Sequence, residues 1–223
     1  MDISLKVPLG QPGPWHSLEF LNWEAGWPYK PEVAFRIWHS GSVLHLEYKV
    51  NEQSIRAVET HDGNDVYKDS CVEFFFQPLP DDPHYYNFEF NAAGTMVLSW
   101  RTGRMDPEHA SPEVLASVKR EVASDAEPVP EPVEGPAFVP SVEGGRVGFE
   151  ERPAKGPWAL RADIPVEALW RSGIRSFSGL RARANFYKCG DGLTVPHFVT
   201  FAPIDTAKPD YHRPEFFTDL DFE

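Results

Sequence analysis

Apolar and polar positions alternate most clearly in Val66–Gln77, VYKDSCVEFFFQ, where Val72, Phe74 and Phe76 are interleaved with Cys71, Glu73 and Phe75. A period of two assigns the first set to one face of a β-strand and the second set to the other. One face is then apolar, and the other sets a carboxylate beside an aromatic. Val33 to Val50 contains two such runs broken by His39-Ser40-Gly41-Ser42, which has the chemistry of a hairpin turn. Tyr86, Phe88 and Phe90 alternate with Asn87, Glu89 and Asn91, and Gly94 supplies the turn into a strand ending at Trp100. In Arg181–Asp191, RARANFYKCGD, the residues Arg181, Arg183, Asn185 and Tyr187 share a face opposite Ala182, Ala184 and Phe186. WALRADIP, from Trp158 to Pro165, and His197–Phe201 add two further strands, and Phe216, Phe217, Leu220 and Phe222 form a last apolar run.

Helical spacing is confined to two short stretches. From Ser111 to Val122 an N-cap serine, Pro112 at the first helical position and Val114, Leu115, Val118 and Val122 predict one surface helix. Pro165 to Gly173 predicts a second. The segment PVPEPVEGPAFVP is too rich in proline for a helix or a central strand, so an irregular excursion is expected near 126–145. Strand signals resume at Arg146 without a new module. The expectation is one domain over 1–223, an all-β antiparallel β-sandwich, jelly-roll-like, with one or two short surface helices.

Composition supports this class: the 22 prolines and 16 glycines imply many turns rather than long helices. A formal charge of -13 disfavours nucleic acid and anionic membrane surfaces, which require clustered Lys and Arg. No stretch of about 18 apolar residues suggests membrane insertion. Cys71 and Cys189 are the two cysteines and are expected as thiols. With Met1 as the native start the chain is expected in the cytoplasm; a removed signal peptide would make it periplasmic or secreted.

The order VYKDSCVEFFFQP, YYNFEFNAAGT, WALRADIP, NFYKCGD, PHFVTFAPI and HRPEFF resembles the family 9 carbohydrate-binding modules, and within them a stand-alone branch found in bacteria that degrade polysaccharides. The resemblance spans roughly Glu32 to Phe222. It implies a β-sandwich that binds a mono- or oligosaccharide without catalysis, a sugar ring being held between aromatics and by flanking polar groups, with bound calcium usual. By this resemblance Tyr67 is the stacking aromatic, Glu73 the acid that bonds hydroxyls, Asn185 the asparagine of the late strand and Arg101 a looser match for an arginine. The second clamp aromatic has no clear counterpart; Tyr187 and Tyr211 are the candidates.

The residues themselves allow the same chemistry. A pyranose offers a C–H patch to an aromatic face and a rim of hydroxyls to donors and acceptors, which Glu73, Arg183 and Asn185 supply if their strands align. Lys188, Asp191 and His197 are polar points beside that presumed site. Asp62, Asn64, Asp65 and Asp69 group oxygen ligands of the kind calcium prefers, in a loop that a plain turn also explains. Cys189, Asp191, His197, Asp210 and His212 match no zinc spacing. Two other classes stay open. A glycoside hydrolase needs two carboxyl groups roughly 5–9.5 Å apart, which Glu73 with Glu89 or Asp191 could supply. A haem-binding module would use Met96 or Met105 with a histidine.

Overall fold

The computed structural model describes residues 4–105, 107–123, 139–140 and 146–223. Its strands are β1 (Ser4–Val7), β2 (His16–Ser17), β3 (Glu32–His39), β4 (Val43–Asn51), β5 (Ser54–Ala57), β6 (Cys71–Gln77), β7 (Tyr85–Asn91) and β8 (Met96–Arg101). There follow β9 (Glu108–His109), β10 (Lys119–Ala123), β11 (Val139–Pro140), β12 (Phe149–Pro153), β13 (Trp158–Pro165), β14 (Arg181–Cys189), β15 (Phe198–Thr200) and β16 (Thr218–Phe222). They build an eight-stranded sheet in the order β1-β16-β14-β6-β7-β8-β9, with β15 on β14. A six-stranded sheet runs β11-β10-β13-β4-β3-β2, and β12 pairs with β5. Apart from the parallel β1–β16 edge, the strands named here pair antiparallel among the described residues. Among the described residues no helix is long and apolar enough to cross a membrane.

The main core lies between the two large sheets, as the alternation predicts. Val72, Phe74, Phe76, Phe88, Phe90 and Phe186 from one sheet share a cluster with Phe35, Ile37, Leu44, Leu46, Leu160 and Ile164 from the other. Phe35 stacks on Phe186 with centroids 3.7 Å apart, which fixes β3 over β14. Each such ring, fully buried, contributes roughly 1.5–3 kcal/mol. Tyr48 Oη crosses the same core to donate to the Glu73 carbonyl at 2.6 Å, tying β4 to β6 at the acid singled out above.

The hairpin turns fall where expected: Gly41 and Gly94 have φ of +87° and +77°, a region that disfavours side chains with a Cβ. Both helical predictions shrink. Ser111 does cap a helix, its side chain accepting from the Val114 N–H, but α1 covers only Pro112–Ser117. The remainder becomes β10, where Val122 pairs with Leu160 in β13. The sheet overrides a weak helical period because pairing along all of Lys119–Ala123 with β13 gives this stretch ladder partners. Pro165 to Gly173 forms one 3₁₀ turn, Val166–Ala168, and Gly173, at φ +68°, ends the segment. Most of the proline-rich stretch 126–145 lies outside the described residues; Val139–Pro140 is an edge strand, the position a sheet allows proline.

Candidate functional site

Strands β6 and β7 are buried along their whole length, so the polar face of the large sheet is covered as well. A second cluster sits on it: Phe75, Tyr85, Tyr187, Cys71 and Cys189 from the strands, and Trp23, Ile204, Tyr211 and Phe217 from loops that wrap over them. Trp23 Nε1 donates to the Thr206 carbonyl at 2.9 Å and joins those two loops. Tyr211 stacks on Tyr187, centroids 4.2 Å apart, and its hydroxyl donates to the Lys188 carbonyl at 2.9 Å. Beside this cover a cleft of about 530 Å³ stays open, a size suited to a small ligand.

Tyr67, Glu73, Arg101 and Asp191 meet in that cleft, together with Tyr211, Glu89 and Asp65 from the other sequence readings. Tyr67 is not on the strand itself. It sits on a 3₁₀ turn, Val66–Lys68, just before β6 and is 36% exposed. That turn is docked against the loop after β14, where the Asp191 and Gly192 N–H groups donate to the Tyr67 and Lys68 carbonyls at 3.1 Å each. Gly192 is required there, since a Cβ would lie 2.6 Å from the Lys68 oxygen. Asp69 holds the turn from below: Oδ1 accepts from Arg56 and the Val58 N–H, and Oδ2 from the Glu59 N–H and Asn91.

The cleft floor is acidic. Glu73 and Glu89 are directly opposite in the β6–β7 register, and both line the cleft. Burial, then the charge of Glu89, pushes the Glu73 carboxyl well above the carboxylate range. Burial pushes Glu89 up to about 7 against the pull of Arg101, and Asp191 up to about 6. Two neighbouring buried carboxyls cannot both ionise cheaply, so near neutral pH the pair holds a proton and can donate as well as accept. Cys189 donates to Glu73 Oε1 at 3.0 Å, and Asn87 Nδ2 to Glu89 Oε1 at 2.5 Å. Arg101, 8% exposed, forms no ion pair among the described residues; its guanidinium donates only at 3.2 Å to Ser99 Oγ and the Arg104 carbonyl. Arg104 pairs with Asp210 at 2.9 Å at the rim. His212 shares a 2.8 Å hydrogen bond with Tyr85 and is held neutral by burial and the nearby arginines.

The other candidates are committed elsewhere. Arg183 leaves the cleft to donate to the Phe217 carbonyl at 2.8 Å. Asn185 is fully buried, its amide bonding the Ala202 backbone through both carbonyl and N–H. Tyr187 lies beneath Tyr211 rather than in the opening. Lys188 points to the opposite face of β14, where it pairs with buried Glu52 at 2.9 Å and bonds His197 Nε2 at 2.7 Å. His197 is thus a core group, kept neutral by burial and by Lys188. Arg183, Asn185 and Tyr187 lose their assigned contacts because loops, absent from any strand pattern, cover their face, whereas Lys188 and its partner His197 lie on the other side of the sheet.

The calcium loop does not fit the ion. Asp62 faces two guanidiniums, Arg120 at 2.8 Å and Arg146 at 2.7 Å, and Asp69 spends both oxygens on protein donors. Asn64 donates to Glu59, and Asp65 pairs with Lys68. Hard-cation ligands need oxygens aimed at a common point, and the carboxylates here are aimed at side-chain cations and N–H donors of the protein instead. The haem pairing fails similarly, because Met96 is in the inter-sheet core and Met105 is 75% exposed.

Sequence reasoning missed two aromatics of the cleft, Trp27 and Phe198. Trp27 lines it together with Tyr67, Phe198 and Tyr211, and packs edge-on to Phe198 with centroids 5.5 Å apart. The signal for Trp27 was the loop Trp23–Tyr29, WEAGWPY, with two tryptophans and a tyrosine in a segment having no strand period.

An antiparallel sandwich with an aromatic-walled cleft on one sheet defines a class of ligand-binding β-sandwiches. The chain belongs to carbohydrate-binding family 9, whose profile matches residues 10–135 and 141–222. It is 37% identical to a provisionally assigned carbohydrate-binding protein from Bacteroides uniformis, with a TM-score of 0.83 and 99% of each chain covered. Two family 9 structures from Caldicellulosiruptor kristjanssonii share the fold at 9% identity. One, with glucose, has a TM-score of 0.60 over 99% of this chain and 96% of that one; the other, with cellotriose, has 0.56 over 99% and 94%. Among curated proteins none matches the chain.

Proposed function

We propose that this protein binds a mono- or oligosaccharide without catalysis in the cleft on the large sheet, and that it serves polysaccharide or oligosaccharide metabolism. The observation that carries the reading is the meeting of Tyr67 and Trp27 with Glu73, Glu89, Asp191 and Arg101 in one opening. The aromatics supply apolar faces for the C–H patch of a pyranose. The carboxyls and the guanidinium, which has no carboxylate partner among the described residues, supply acceptors and donors for its hydroxyls. The glucose and cellotriose bound by the C. kristjanssonii modules support a gluco-configured ligand of one to three units.

Hydrolysis has weaker support. Glu73 and Glu89 stand side by side on adjacent strands of one wall, whereas hydrolases place their carboxyls on either side of the scissile bond. Titration calorimetry with glucose, cellobiose and cellotriose should give saturable heat, lost or weakened at least tenfold in Tyr67→Ala and Trp27→Ala. No heat across a broad sugar panel, or unchanged affinity in both variants, overturns the proposal. Release of reducing sugar by the wild type, abolished in Glu73→Gln, would establish the enzyme instead.

A further inference from the structure

Cys71 and Cys189 are directly opposite in the β6–β14 register, so their side chains emerge side by side on the covered face of the sheet. Glu73 follows two residues after Cys71 on the same face. The two sulfurs and a Glu73 oxygen all lie within 4.8 Å of one another. Neither cysteine is in a disulfide, and Cys189 and Glu73 also line the cleft while Cys71 lies behind them, fully buried. A tetrahedral zinc site with Zn–S near 2.3 Å and Zn–O near 2.1 Å places its ligand atoms roughly 3.6–3.8 Å apart, so only small side-chain movements separate this trio from a coordinating geometry. Three strand-borne ligands with one side facing a cleft match the open arrangement of metal sites that keep a position for an exogenous group.

We propose that Cys71, Cys189 and Glu73 form a binding site for a soft or borderline divalent cation, zinc being the physiological choice, with its fourth position open to the cleft. Two sulfurs exclude calcium and magnesium and select for zinc or its heavier congener cadmium. Binding replaces two S–H protons and the Glu73 proton with one dication: two metal–sulfur bonds and one metal–oxygen bond form, and up to three protons leave to solvent. A thiol is ordinarily protonated at neutral pH, its unperturbed value being about 8.5. Metal must therefore compete with two thiol protons, and its apparent affinity rises roughly a hundredfold per pH unit below the thiol values.

The test titrates cadmium alone, without saccharide, into the full chain kept anaerobically with a thiol-free reductant. One equivalent should produce the ultraviolet thiolate-to-cadmium band, with at least two protons released, counted calorimetrically in two buffers of different ionisation enthalpy. Cys71→Ala and Cys189→Ala should each lose most of the band and bind at least tenfold more weakly; Glu73→Gln should keep the band and bind more weakly. Should an alanine variant fail to fold, X-ray absorption on the zinc-loaded wild type takes its place and should find two sulfurs among the ligands. No band in protein whose two thiols are shown reduced, a band that survives in a folded Cys71→Ala, or zinc with no sulfur ligand overturns the proposal.

Discussion

The two faces of the large sheet are made by the same strands and are both buried, yet they do different work. Toward the other sheet, Val72, Phe74, Phe76, Phe88 and Phe186 form a buried apolar layer rich in aromatics. On the far side, the intervening residues Cys71, Glu73, Phe75, Glu89, Tyr187 and Cys189 mix rings with thiols and carboxyls beneath loops. The inner face gains stability from its apolar residues, the buried Lys188–Glu52 pair being the polar exception. The outer face keeps buried acids that cost stability, and retention of such groups is characteristic of binding sites. The contrast predicts its largest effect on the inner side. Phe186→Ala removes a ring stacked on Phe35 and should cost roughly 3–5 kcal/mol in denaturant unfolding. Molecules of the variant that stay folded should bind saccharide as the wild type does, because Phe186 does not line the cleft. A loss below about 1 kcal/mol would mean that the two faces are not divided as described.

The inner face was legible in the sequence because a period of two needs no partner to be read: Val72, Phe74 and Phe76 announce a buried side on their own. The hairpin at Gly41 and the turn at Gly94 were legible for the same local reason. On the outer face, the pattern correctly set Glu73 beside an aromatic but could not show what would cover it. Asn185 and Tyr187 share Glu73's side of the sheet, yet one is claimed by the Ala202 backbone and the other by Tyr211. Those claimants come from a loop between β15 and β16 with no period of its own. Trp27 was hidden similarly, in a loop whose position depends on Trp23 reaching Thr206. Lys188 was misassigned by parity alone: one residue from Tyr187, it points through the sheet to Glu52.

The second effect tests how the outer face is held in place. Asp69 is fully buried and accepts four hydrogen bonds that fix the turn carrying Tyr67. Asp69→Asn turns an acceptor into a donor facing donors and removes the countercharge of Arg56. A cost of about 3 kcal/mol is expected, discounted slightly because Arg56 is partly exposed. Saccharide affinity should fall together with stability. If affinity held while stability dropped, the Tyr67 turn would be irrelevant to the ligand, and the site would lie elsewhere on this face.

The smallest effect separates the faces by pH. Glu89 is pushed up to about 7 by burial, above its value in the unfolded chain. Between roughly pH 4.5 and 7 the folded state therefore holds more protons here than the unfolded state, and this carboxyl makes the protein less stable as pH rises. His197 and His212 act in the opposite sense, since burial lowers both and they stay neutral while their unfolded counterparts take up protons on acidification. Wild-type stability alone would thus blur the signal, and the difference between variant and wild type isolates it. Glu89→Gln keeps an acceptor for Asn87 and cannot ionise, so its stability relative to wild type should rise by roughly 2 kcal/mol between pH 5 and pH 8. The same substitution frees Glu73 from a like-charged neighbour, so its carboxyl should ionise at lower pH, visible as a downward move in the midpoint of any pH-dependent saccharide affinity. A difference that stays flat across this range would show Glu89 titrating as a solvated acid. The outer face would then be wet rather than buried, and the division between the two sides of the sheet would rest on the aromatics alone.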